Sequence, residues 1–346
     1  MRISYYLPGR NLDNEELERI YNDPKWTASK ILRKTGIRTR RVVSGELASD
    51  LAVKASERLF RDYSVAPSSI DFLLLCTESP DHFLPPTACM VQHRLGIPRS
   101  SGALDFNLGC SGYVYGLATA KGYIAAGIAR RVLLVTSETY SRHIHPMDRS
   151  TRTIFGDGAA ATLVDGETAA GMGKFVLGTD GSGAPNLMVE AGAMAVPTSR
   201  ETLAEREDEW GSIRSRNNLY MNGPEIFAFT LRVVPGLVRE TLEANGLALD
   251  DVDIFVFHQA NRFMLEALRD KLEIPPGKFL IDVEETGNTV SATIPIALRR
   301  AMDGGIIRAG NRILIAGFGV GYSWGASVIT VQPGHLPEKC AQEDSK

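Results

Sequence analysis

An α/β fold made of two duplicated halves is the architecture this sequence predicts, and three observations carry it. Strand-like apolar runs alternate with helical patterns along most of the 346 residues. Three of those runs recur in the same order. "DFLLLCTESP" (71–80), "ALDFNLG" (103–109) and "RVLLVTSE" (131–138) are matched by "DIFVFHQAN" (253–261), "FLIDVEETGN" (279–288) and "RILIAGFG" (312–319). The spacing is nearly constant: 182 residues from Asp71 to Asp253, 178 from Cys110 to Asn288 and 181 from Arg131 to Arg312.

Taken in order, each apolar run reads as a buried strand, and the segments between them, "ACMVQHRLG" (88–96) and "SGYVYGLATAKGYIAAG" (111–127), read as helices. The turns agree as well. "GCSGYVYGLATA" and "GNTVSATIPIAL" both run from glycine through a polar residue into a small-residue helix. The halves join near "VDGETAAGMGKF" (164–175), giving 1–170 and 171–346 as the two units. A pseudo-twofold axis then sets Cys110 and Asn288 face to face, each at a helix start. Residues 183–218 have no counterpart in the first half; they mix glycines, apolar residues and many charges. Such a segment is either a solvated excursion or a cap over a pocket, and the cap is the reading taken here. "EIFAFTLRVVPGLVRETLEANGL" (225–247) predicts an amphipathic helix kinked or broken at Pro235.

Composition narrows the function classes. The chain is 44% hydrophobic and 23% charged, with a net charge of -3, which gives no electrostatic footprint for nucleic acid or an anionic membrane. The apolar start breaks at Pro8-Gly9, too short for a signal peptide core, and no run approaches the roughly 20 apolar residues of a membrane span. Cys76, Cys89, Cys110 and Cys340 have neither C-x-x-C nor zinc spacing, so reduced thiols, a cytoplasmic location and no metal are expected. His143 and His145 form H-x-H without a neighbouring carboxylate and read as surface residues.

Cys110 ends a strand and opens a helix. The positive end of the helix dipole and unpaired N–H groups favour thiolate there, which predicts a lowered pKa. On that stretch alone, buried filler and nucleophile remain open. A serine elbow, G-x-S-x-G, fails because position 113 is tyrosine. His258 follows the strand "DIFVF", at the kind of strand end where open α/β sheets place ligands. Asn288 alone reads as a turn or cap residue. The glycine-rich "GFGVGYSWGAS" (317–327) lacks a Walker lysine, and its better use is close backbone approach with an N–H aimed at an oxyanion.

With these residues in place, the sequence resembles the β-ketoacyl-[acyl-carrier-protein] synthase III family of thiolase-fold condensing enzymes. The resemblance rests on "TGIRTR" (35–40), "GCSGYVYGL" (109–117), "DRSTRTIFGDGAAATLV" (148–164), "HQAN" (258–261), "TGNTVSATIPIAL" (286–298) and the glycine-rich run. It implies a five-layered αβαβα thiolase-like fold and a homodimer. It also implies no cofactor, with acyl-CoA or acyl-carrier protein and malonyl-carrier protein as substrates. Carried over, Cys110 is the nucleophile, His258 and Asn288 complete the triad as N–H donors to an enolate, and the backbone N–H groups of Cys110 and Val320 form the oxyanion hole. The substrate-binding residues it implies are Arg149, Asn261, Leu84, Phe155 and Phe318.

There are departures from the family pattern. Lys30 and Lys34 stand where the family has a tryptophan and an arginine for the adenine of coenzyme A, while Arg149 matches its adenine-stacking arginine. This makes a carrier-protein donor credible beside coenzyme A. Leu84 aligns with the aromatic residue that one subunit lends to its partner's acyl pocket, and Phe83 is adjacent. Arg262, Arg269 and Lys271 are the candidate basic patch for the carrier protein. The function expected is decarboxylative condensation, in fatty acid synthesis or a specialised pathway. Acyl transfer to a hydroxyl, amine or water, and a non-catalytic partner subunit, are the alternatives.

Overall fold

The computed structural model describes residues 1–332, so Cys340 lies outside the described residues. The first half runs β1 (Arg2–Tyr6), α1 (Ala48–Asp62), β2 (Phe72–Cys76), α2 (Thr87–Arg94), β3 (Gly102–Phe106), α3 (Gly112–Ala125), β4 (Arg131–Glu138) and β5 (Gly158–Asp165). The second runs β6 (Met172–Thr179), α4 (Gly223–Ala244), β7 (Ile254–Phe257), α5 (Arg262–Lys271), α6 (Thr293–Asp303), β8 (Arg312–Gly319) and β9 (Ser323–Thr330).

The two sheets repeat one topology. The first has the order β1-β5-β4-β2-β3 and the second β6-β9-β8-β7. In both, the first strand pairs antiparallel with the last, the last pairs antiparallel with its predecessor, and the remaining pairs are parallel. The duplication inferred from the offsets is therefore present in the fold.

Alternation along each strand builds the layers. Leu74 of β2 and Leu134 of β4 face a core shared with Ile313 and Ile315 of β8. Their neighbours Leu73, Leu75 and Val135 face Leu51 and Leu59 of α1 and Val91 of α2. Both faces of each sheet are covered, which is why these strands read as unbroken apolar runs. α3 and α6 lie between the sheets, contributing Tyr113, Leu117, Ile294 and Leu298 to the shared core. The first turns of α3 are buried at Gly112, Tyr113, Val114, Gly116 and Leu117, and its later turns reach solvent at Thr119, Gly122 and Ala125. On the far side, Phe229 and Leu237 of α4 and Leu265 of α5 cover Phe255, Phe257 and Leu314. The result is the expected αβαβα arrangement.

Three local expectations change. Residues 279–288 do not form a strand; they make two isolated parallel bridges, Phe279 to Phe255 and Asn288 to Phe155. The segment leaves the sheet because its next polar groups are taken elsewhere: Asp282 N donates to Gln259 Oε1 at 2.6 Å, and Gly287 turns at φ +66. The helix predicted over 225–247 is Gly223–Ala244 and continues through Pro235, which is buried. Residues 183–218 do not cap the pocket described below. Only Leu187 of that segment lines it, next to Met221 on the paired strand. Elsewhere the segment meets residues 145–149, through Arg214 to Asp148 (3.1 Å) and Glu205 to His145 (3.1 Å), and pairs with itself through Arg216 to Glu190 (2.6 Å).

Candidate active site

Cys110 follows β3 and precedes α3, with Ser111 as the helix cap residue. It can sit against β8 because two glycines there have no side chain. A Cβ at Gly317 would lie 2.7 Å from Cys110 O, and one at Gly319 would lie 2.8 Å from Cys110 Sγ. Val320 lies just past β8, and its backbone N–H favours the charged form of the Cys110 sulfur. The rival nucleophile is engaged elsewhere. Ser111 Oγ is buried 2.6 Å from Ser323 Oγ, and Tyr113 is a core residue whose hydroxyl meets Thr162 at 3.2 Å.

His258 is placed by the end of β7, where its backbone N–H donates to Ala316 O of β8. Asn288 is clamped on both sides of its peptide, its N–H donating to Ile154 O and its C=O accepting from Gly156 N. Its Nδ2 stands 3.4 Å from His258 Nε2. Cys110, His258 and Asn288 line one cavity of about 340 Å³, together with the apolar Ile154, Phe155, Leu187, Met221, Ile226 and Phe318. Asn261 lines it as well, and its Oδ1 also caps α5 through Met264 N (2.9 Å). Phe227 and the exposed Phe263 stack across its rim with ring centroids 5.3 Å apart.

Two residues named from the sequence lie outside this cavity. Leu84 is 81% exposed and Phe83 76%. Arg149 is paired to Asp23 at 2.7 Å and lies over the Tyr21 ring. Nearby, Lys34 sits over the Trp26 ring and Lys30 Nζ donates to Pro24 O. Of the candidate basic patch, Arg262 pairs with Glu284 (3.2 Å) and Arg269 with Asp270 (2.8 Å). His143 and His145 are half-buried rather than fully exposed, bound to Glu78 O and Glu205. Among the described residues no cluster of potential ligands could hold a metal ion, and no helix is long and apolar enough to cross a membrane.

The electrostatics overturn one expectation. Burial pushes the Cys110 thiol well up rather than down, and the Glu78 carboxylate pushes it further; the N–H groups of Val320 and Cys110 pull the other way without cancelling this. The helix end is a local effect, whereas the carboxylates arrive from other strands. Glu78 follows β2 and Glu138 ends β4, two neighbouring parallel strands. A Cβ on Gly109 would overlap Glu78 Oε2, an oxygen that is buried without a hydrogen-bond partner. Glu138 accepts from Ser79 Oγ (2.9 Å), Glu78 N (3.1 Å) and Ser291 Oγ (2.6 Å). Burial holds both carboxyl groups above the usual range. Sequence reasoning passed over this pair, although acids at the ends of adjacent buried strands are a readable signal. Glu78→Gln removes the opposing charge, so alkylation of Cys110 by iodoacetamide at pH 8 is expected to accelerate ~10-fold, about one unit of thiol pKa. An unchanged rate would refute the coupling.

Burial pulls His258 down to about 3, so the ring is neutral at physiological pH. Its folded value lies below the 6.5 of an unperturbed histidine. Stability from this group is thus complete above pH 6.5 and is lost as pH falls toward 3, by up to ~1.4 kcal/mol per pH unit. Denaturant titrations at pH 7 and 5 should show a smaller loss in His258→Asn than in the unaltered protein. Equal losses would contradict a buried neutral ring.

Comparison with known proteins agrees with this geometry. The family description "3-oxoacyl-[acyl-carrier-protein (ACP)] synthase III" matches residues 104–181, and that of its C-terminal region matches 242–331. A β-ketoacyl-[acyl-carrier-protein] synthase III of Caldanaerobacter subterraneus subsp. tengcongensis is 37% identical, over 94% of this chain and 95% of the relative. The chain belongs to the 3-oxoacyl-[acyl-carrier-protein] synthase III family. Among solved structures, a 3-oxoacyl-(acyl-carrier-protein) synthase III superposes with a TM-score of 0.92 at 50% identity, over 95% of this chain and 98% of the other. This chain is also similar to the priming β-ketosynthase from the R1128 polyketide biosynthetic pathway. That enzyme is 30% identical, with a TM-score of 0.84 over 97% of this chain and 96% of the other.

Proposed function

We propose that this protein is a condensing acyltransferase that loads an acyl group onto Cys110 and joins it to malonyl-carrier protein with loss of carbon dioxide. The observation that carries this reading is the meeting of Cys110, His258 and Asn288 in one largely apolar cavity. The thiolate attacks the acyl thioester, and the N–H groups of Cys110 and Val320 hold the oxyanion. Decarboxylation of the malonyl group then develops an enolate, to which Asn288 Nδ2–H donates. The enolate carbon attacks the acyl-cysteine, and β-ketoacyl-carrier protein leaves.

The site needs no resident cofactor for these steps. The apolar walls suit a hydrocarbon acyl chain. The half-exposed Lys34–Trp26 pair and the engaged Arg149 leave carrier-protein and coenzyme A donors both in play. The bare Phe83 and Leu84 suit a homodimer interface, since adjacent exposed apolar side chains mark contact surfaces. An acyl carrier protein is the partner proposed, at a cytoplasmic location. The test is turnover with a panel of acyl-coenzyme A and acyl-carrier-protein thioesters plus malonyl-carrier protein. Carbon dioxide and β-ketoacyl product are expected with at least one donor. Acyl transfer without carbon dioxide across the panel would instead support simple transfer to another nucleophile.

A further inference from the structure

A second cavity, of about 330 Å³, shares the Phe155 wall with the Cys110 cavity and none of its other lining residues. Three segments build it. The strand Arg10–Asp13 pairs antiparallel with Thr39–Val42, which sets Arg10 opposite Val42. The turn Tyr140–His143, just past β4, supplies Ser141 and Arg142. Arg152 and Phe155 come from overlapping helical turns, in which Arg152 N donates to Asp148 O and Phe155 N to Thr151 O, both at 3.1 Å. Residues three apart on such turns share a face, so the Arg152 side chain and the Phe155 ring line the cavity together. Leu12, Val42, Ile144 and Phe155 are buried and give it an apolar floor.

The charges around this cavity are one-sided. Arg10, Arg142 and Arg152 line it, and no carboxylate does. The neighbouring acids are engaged. Glu16 takes Arg10 at 2.7 Å. The Glu46 carboxylate is turned onto the N–H groups of Ser44 (2.9 Å) and Gly45 (3.2 Å). Asp157 accepts from Val43 N and Ser141 N, both at 2.8 Å. Arg142 donates to the carbonyls of Gly45 and Glu46. Arg152 is half-buried, and its Nε is enclosed without a partner. Among the described residues its side chain makes no hydrogen bond and no ion pair. A guanidinium drawn partly out of water without an anion is unfavourable, and a bound anion relieves it.

We propose that this cavity is a binding site for a carboxylate carried on a hydrocarbon chain. The Arg152 fork matches the two carboxylate oxygens, and Arg142 adds positive charge from the exposed rim. The chain lies on Leu12, Val42, Ile144 and Phe155. The volume is at the low end of the ~300–1,000 Å³ of small-molecule sites, which suits a chain of moderate length. Such a carboxylate has two sources. One is a free carboxylic acid. The other is the far end of a dicarboxylic acyl group whose thioester end is on Cys110 and whose chain runs past Phe155. The second source rests on the function proposed above; the site itself does not.

The test titrates the full-length protein by calorimetry with octanoate, octanol and acetate. Octanoate should bind one to one and at least ~10-fold more tightly than octanol, which lacks the charge, or acetate, which lacks the chain. Arg152→Gln should weaken octanoate by ~10-fold or more, and Arg152→Lys, which keeps the charge without the fork, should fall between. Because Arg152 holds no other group, neither variant should lower the thermal midpoint. Octanoate should still bind after alkylation of Cys110; binding lost on alkylation belongs to the first cavity and overturns the proposal. A second arm compares loading of octanoyl and suberyl thioesters. A suberyl-to-octanoyl ratio that falls ~10-fold in Arg152→Gln identifies the acyl chain as the source. An unchanged ratio beside weakened octanoate binding identifies the free acid. Affinity and ratio both unchanged in Arg152→Gln would overturn the site. So would a variant that loses self-association while binding octanoate as before, which assigns the arginines to a contact between copies. A protein that loads no thioester would refute the proposed function and leave the calorimetric result standing.

Discussion

Cys110→Ala should leave no acyl adduct after incubation with any thioester and reduce condensation by ~10⁴-fold or more, the scale expected when a covalent nucleophile is lost. Its structural cost should be small. The side chain is buried against Gly319, and alanine keeps the Cβ while vacating only the sulfur. A near-normal thermal midpoint with no adduct would separate chemistry from folding. An adduct that persists in Cys110→Ala would move the nucleophile elsewhere. The exposed Cys89 is the thiol to map first, because Cys76 is buried with its sulfur donating to Leu108 O.

Asn288→Ala should split the reaction. Loading of Cys110 should survive within ~10-fold, while condensation with malonyl-carrier protein should fall ~10²- to 10³-fold, the range for removing one preorganised donor to a developing oxyanion. Some of any loading deficit would be structural, because Val290 N loses Asn288 Oδ1 at 2.9 Å and His258 Nε2 loses Asn288 Nδ2 at 3.4 Å. An unsatisfied buried N–H costs about 1–3 kcal/mol, so a lowered midpoint should accompany the variant. Rapid transfer of the acyl group to water or an alcohol in Asn288→Ala, at the rate of the unaltered enzyme, would favour simple acyl transfer over condensation.

The parts legible in the sequence are those written locally. β2, β4 and β8 announce themselves because both faces of each sheet are covered, so each carries a run of consecutive apolar residues: Phe72–Cys76, Val132–Val135 and Ile313–Ala316. The repeat was legible because equivalent turns kept their spacing, and it paired Cys110 with Asn288 before any geometry was known. Residues 279–288 misled for a physical reason. Their apolar start makes one bridge, and their acidic and glycine-rich end forms the turn that delivers Asn288.

What could not be read was tertiary. The thiol environment depends first on burial and then on Glu78, which follows a neighbouring strand, and neither is written in the local sequence around Cys110. Val290 lies in "GNTVSAT", where nothing signals that a β-branched residue takes a positive φ. The contact of His258 Nδ1 with Thr293 Oγ1 at 2.7 Å likewise depends on where the end of β7 places the ring. The segment 183–218 had the composition of a cap, but its charges pair with one another, as Arg216 with Glu190 and Arg214 with Asp208, and with Asp148 and His145.

The most direct measurement follows the mass of the intact protein through one cycle. Mixed with an acyl donor, the protein should gain one acyl group, mapped by peptide digestion to Cys110. When malonyl-carrier protein is added, that mass should disappear as one equivalent each of carbon dioxide and β-ketoacyl-carrier protein form. An acyl group on any other residue, or an adduct on Cys110 that malonyl-carrier protein cannot discharge, would contradict the account.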